Sequence, residues 1–156
     1  MKLLYKQKGA ETVEFSIILT LLMFVLFGIM EFGIVLYDKA VITNASREGA
    51  RSGIAYRCPA LSEAQISTIV TNATTNTVGG ASLLISFASG TTAPGVTVSP
   101  TPPTTTTNCF ANSGTPLMVT VTYNYRFFAL GNLMGVLVPG FNNPLTLRST
   151  TIMNYE

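Results

Sequence analysis

Between Phe15 and Tyr37 the chain reads FSIILTLLMFVLFGIMEFGIVLY, and Glu31 is the only charge in it. About 20 apolar residues are enough for a helix to cross the hydrocarbon of a bilayer, so this run constrains the chain more than any other feature. The alternative is a buried core helix. A chain of 156 residues supplies one domain's worth of sequence, too little to cover such a segment on every side. The composition agrees, with 47% hydrophobic against 10% charged residues.

What precedes the run decides between a lasting anchor and a removable signal. Lys2, Lys6 and Lys8 give a basic start that suits a secretory signal. Glu11 and Glu14, however, stand where the flank of a signal is basic or neutral. No small-x-small cleavage site follows either, because Gly28 and Gly33 have Leu26 and Glu31 two residues upstream. The reading is an uncleaved span at about 15–37. Its lysines place the amino end in the cytoplasm and everything after Tyr37 outside. The net charge of +2 is that same topology signal, since beyond residue 9 six basic residues face seven acidic ones. No nucleic-acid partner is indicated.

Residues 38–57 continue the helix past the membrane. Ile42, Ala45, Gly49, Gly53 and Tyr56 recur at helical spacing, giving one flat, small-residue face for close approach of another element. Arg47 and Arg51 fall on the opposite, solvated face. A second helix is expected at about 62–77, opened by the capping box Ser62-Glu63-Ala64-Gln65, striped by Ile66, Ile69, Val70 and Ala73, and stopped by Gly79-Gly80. The period then changes to two. Strands are expected at 82–89, 95–99, 117–128 and 145–155. In the third, Val119, Val121, Tyr123 and Tyr125 alternate with Thr120, Thr122 and Asn124. The fold class is therefore α+β: a long amino-terminal transmembrane helix running into a small head, with a second helix and an antiparallel sheet of about four strands. A threonine- and proline-rich stretch at 99–114 reads as an exposed loop, open to glycan attachment or adhesion. The more apolar 129–144 is either helix packed on the sheet or a patch buried by a neighbouring subunit.

Cys58 and Cys109 both fall in the outer part, where an even count favours a disulfide over two free thiols. It would close a loop of about 51 residues, valued at roughly 4 kcal/mol by chain entropy. The chain has no histidine, and two isolated cysteines make no metal site. No nucleophile–base pair, glycine-rich phosphate loop or Cys-x-x-Cys occurs. The acids after the span, Asp38, Glu48, Glu63 and Glu156, form no pair at helical spacing. This argues against an enzyme, a cofactor or a small-molecule substrate.

Three blocks carry a family resemblance: Gly9-Ala10-Glu11-Thr12-Val13-Glu14-Phe15, Phe27 to Gly33 (FGIMEFG), and Asn44 to Arg51 (NASREGAR). The first resembles the processing site of type IV prepilins. All three in register resemble the TadE-like pseudopilins of tight-adherence (Flp) pilus systems, over 9–51. The resemblance implies a leader at 1–9 cut by a prepilin peptidase after Gly9, with Ala10, Glu14 and Phe15 completing the recognition site. It implies a TadE-like long helix at 10–57, an extracytoplasmic head at 58–156, and a place in the bacterial cytoplasmic membrane or an extracellular pilus.

A carboxylate at Glu14, one turn inside the bilayer, is costly unless partnered. The amine of a neighbouring subunit's Ala10 is the natural partner, with headgroup contact the simpler option. Glu31 either reaches the outer interface or contacts the filament, and Gly28 and Gly33 beside it offer close helix contact. The implied partners are the peptidase, other pilin or pseudopilin subunits with the assembly machinery, and membrane lipid. The rival is a single-pass protein whose outer domain binds or shields something, with no filament role. Such an anchor would keep residues 1–9.

Overall fold

The computed structural model describes residues 7–55, 59–75, 82–85, 93–102, 114–127, 131, 135, 140 and 144–155. Helix α1 is one unbroken element, Gln7–Ile54, of 48 residues. At 1.5 Å per residue it is about 72 Å long. No proline occurs before Pro59, and the polar side chains inside the apolar run are satisfied locally. Ser16 Oγ donates to the Val13 carbonyl at 2.9 Å and Thr20 Oγ1 to the Ser16 carbonyl at 2.8 Å.

Helix α2, Glu63–Ala73, begins at the expected capping box. The Gln65 backbone N–H donates to Ser62 Oγ at 3.3 Å, and the Ser62 N–H donates to Gln65 Oε1 at 2.9 Å. Ile66 and Val70 are its fully buried residues. The helix ends at a Thr74 cap, short of the expected residue 77, and Gly79-Gly80 lie outside the described residues.

Strands β1 (Gly95–Ser99), β2 (Pro116–Tyr125) and β3 (Leu145–Asn154) form an antiparallel sheet in that order. Thr97 pairs with Thr120 in one ladder, and Thr120 with Thr150 in the other. Leu117, Val119, Val121, Tyr123 and Tyr125 of β2 are buried beneath the two helices, as their alternation predicts. The α+β class holds.

The strand count is corrected from four to three among the described residues. In the expected first strand, only Ser82 pairs, in an isolated bridge with Thr75. The next donors go elsewhere: Leu83 N–H donates to the Thr74 carbonyl at 2.8 Å, and Ile85 N–H to the Asp38 side chain. The two acceptors lie on different elements, the cap of α2 and helix α1, so these donors build no ladder. Residues 86–89 lie outside the described set. β2 stops at Tyr125 rather than 128 because its ladder partner begins at Leu145, directly opposite.

The small-residue face of α1 seats the head. A Cβ on Gly49 would lie 2.4 Å from Val70 Cγ2, and one on Gly53 would lie 2.5 Å from Leu117 Cδ2. Only residues without a side chain let α2 and the sheet come this close. Ile42 and Ala45 are buried on the same face, while Arg47 and Arg51 are exposed. Polar contacts fix the register. Ser46 Oγ lies 3.1 Å from Ser149 Oγ and 2.8 Å from Thr151 Oγ1 on β3, and Lys39 Nζ donates to the Arg148 carbonyl. Gly53 faces Leu117 and Gly49 approaches Val119, so α1 runs antiparallel to β2.

Candidate membrane and assembly site

The processing positions lie near the start of α1. Gly9, Ala10, Glu14 and Phe15 are consecutive turns of one continuous helix and all are exposed. A Cβ on Gly9 would meet nothing within 4 Å. From Gly9 to Met30 no residue is buried, and large apolar side chains point outward all round, among them Phe15, Leu21, Val25 and Ile29. From Phe15 on the helix is apolar on every side and has no buried residue before Glu31, a surface built for lipid or for other helices, not for water. It is long and apolar enough to cross a membrane, which fits a single-pass membrane protein.

Within this stretch Glu11 and Glu14 are the only acids. Gly28 is half-buried. Gly33 is exposed, and a Cβ there would meet nothing within 4 Å. The two glycines sit five residues apart on different faces, so they do not form a shared small-residue seam.

Glu31 is placed differently from the other candidates. It is 4% exposed and lies where the head first covers the helix. Asp38, two turns further on, is on the same face and fully buried. Asp38 Oδ1 accepts the Ile85 N–H at 2.9 Å, and Oδ2 is buried without a hydrogen-bond partner. Burial drives the Asp38 pKa up to about 6 from 3.8, against the pull of the Ile85 hydrogen bond. Across from them, the Tyr125 hydroxyl is buried and unbonded. Its pKa is raised to about 12 by burial first, then by the charges of Glu31 and Asp38. Tyr125 also meets the Phe127 ring edge-on, with centroids 5.2 Å apart.

The acid pair is not evident in the sequence, because Glu31 belongs to the apolar run and Asp38 to the segment after it. Their seven-residue spacing was the available signal. Among the described residues no group of three His, Cys, Asp or Glu residues comes together. Cys58 and Cys109 lie outside the described residues, as does most of the threonine-rich loop.

Comparison with known proteins gives one match. The family model described as TadE-like protein covers residues 9–51, the interval of the three sequence blocks, which bears out the resemblance drawn from them. All of it lies on α1. No curated protein and no solved structure matches.

Proposed function

We propose that this chain, with its TadE-like segment at 9–51, is a minor pilin-like (pseudopilin) subunit of a tight-adherence pilus or related secretion system. A prepilin peptidase removes residues 1–9. The mature chain, starting at Ala10, then assembles with other pilin or pseudopilin subunits through its bare helical half. The observation that carries this reading is the coincidence of the family match with a helix whose first half has no intramolecular cover and presents Glu14 at one end. A carboxylate there needs a cationic partner once it enters hydrocarbon. The new terminal amine of an adjacent subunit supplies one, and the pairing sets the stagger between helices. The role is assembly, not catalysis.

The orientation follows from Lys2, Lys6 and Lys8 on the amino side of the span: amino end in the cytoplasm, head outside the cytoplasmic membrane. In that oxidising compartment Cys58 and Cys109 pair, and non-reducing mass spectrometry of the exported protein finds the joined peptides. Two alkylatable thiols would remove the pairing.

The decisive experiment is the intact mass of protein extracted from membranes of a host carrying the peptidase. The wild-type chain begins at Ala10, and Gly9→Leu stays uncut because a bulky residue blocks the backbone from the proteolytic site. A wild-type chain still beginning at Met1 refutes the reading and leaves a plain single-pass anchor.

A further inference from the structure

The head meets α1 with no stalk between them. The uncovered stretch from Gly9 to Met30 is about 33 Å long, against a hydrocarbon thickness of about 30 Å. From Phe15 to Met30, about 24 Å of it, there is no charge, and this is shorter than the hydrocarbon is thick, so hydrocarbon must reach close to Glu31. It cannot go much further, because there the head begins, and open sheet edges and polar backbone do not enter lipid. Both limits fall at the same place.

The antiparallel run of α1 and β2 then identifies which end of the head lies there. Gly53 faces Leu117 and Gly49 approaches Val119. Moving down the helix toward Glu31 therefore moves along β2 toward Tyr125 and Phe127, with Leu145 of β3 paired opposite Tyr125. This end presents the exposed Arg126 and the half-buried Phe127. Phe32 (64% exposed) and Tyr37 (45%) stand on uncovered parts of the helix at about the same depth. Aromatic rings with an adjacent cation are the side chains that favour the lipid–water boundary. The sequence joining β2 to β3 departs from and returns to this end, and residues 128–144 contain no charge.

We propose that the Tyr125–Phe127 end of the head is seated directly on the outer lipid surface, Arg126 at the phosphates and Phe127 at the acyl boundary. The membrane would thereby hold the head as well as the anchor. This does not depend on processing or on filament membership, so it can fail while the pseudopilin reading stands.

The chain has no tryptophan, so single tryptophans report depth without background. The full chain carrying Phe127→Trp, Arg126→Trp or Ile152→Trp is reconstituted into phosphatidylcholine vesicles with and without brominated acyl chains. Arg126 is exposed, so its replacement reports even if Phe127→Trp disturbs packing. Ile152 is 57% exposed and pairs with Met118 beside Leu117, the strand residue that faces Gly53, about 33 Å along the helix from Glu31. Brominated lipid should quench the probes at 126 and 127 with blue-shifted emission, while the probe at 152 is quenched by aqueous iodide only. Equal iodide quenching at all three positions would overturn the proposal. Bromolipid quenching at all three would overturn it too, because the head would then lie on its side.

Discussion

Asp38 on the long helix and Ile85 in the head, 47 residues apart, are joined by a hydrogen bond of 2.9 Å from the Ile85 N–H to Asp38 Oδ1. The second oxygen of the same carboxylate is buried with no partner, so the contact holds the head at the expense of a poorly solvated charge.

The sign of the resulting pH dependence follows from the direction of the shift. The folded-state pKa of about 6 lies above the ordinary 3.8, so the folded chain holds this proton more tightly than the unfolded chain. Below about pH 4 the group is neutral in both states and imposes no penalty; the penalty grows as pH rises and is complete above about 6. Stability from this group therefore falls over that window, by on the order of 2 kcal/mol. Denaturant unfolding in micelles at pH 4.5 and pH 7 should show the loss. Asp38→Asn, which can still accept the Ile85 N–H, should flatten it. An unchanged pH slope in that variant would assign the dependence to another group.

Gly49 and Gly33 should respond oppositely to the same added methyl. Gly49→Ala drives a Cβ to within 2.4 Å of the branched Val70, which is fully buried, and costs about 1–3 kcal/mol. Gly33→Ala meets nothing within 4 Å, so it should gain up to about 1 kcal/mol from helix propensity. Thermal unfolding of the two variants side by side measures the contrast. A neutral Gly49→Ala would mean that α2 can yield.

Ser46 links the helix to β3 through Ser149 and Thr151, at 3.1 and 2.8 Å. Ser46→Ala leaves those buried or half-buried hydroxyls short of a partner and should cost about 1–3 kcal/mol. Adding Ser149→Ala should cost less than the sum of the two single changes, since both remove one shared bond. Additive losses in a double-mutant cycle would argue that the hydroxyls act separately.

Beyond its place in the recognition site, Glu14 is proposed to act mainly after cleavage. Glu14→Ala and Glu14→Gln should both yield chains beginning at Ala10 yet fail to enter assemblies, scored by cross-linking in membranes. Normal assembly of Glu14→Gln would show that its charge is dispensable.

Elements whose hydrogen bonds close within themselves could be read from the residues. The apolar run, the Ser62–Gln65 box and the small face at Ile42, Ala45, Gly49 and Gly53 are of this kind, and each appears as expected. Three strands were likewise visible in their alternation. The segment after Ser82 was not, because its amides are claimed by Thr74 and Asp38, partners whose nearness only the folded chain creates. Burial of Glu31 was hidden for the same reason: its face is apolar-flanked along the chain, and only the placement of the head above it makes the carboxylate internal.

Helix α1 runs from Gln7 to Ile54 without a break, so its lower and upper halves cannot turn independently. Each residue advances a helix by about 100°, which makes the anchor a compass needle for the head. Whichever stripe of the bare half a neighbouring helix occupies also decides the direction in which the sheet faces. One residue inserted between Met30 and Glu31 would swing the head by more than a quarter turn while leaving every contact within each half intact.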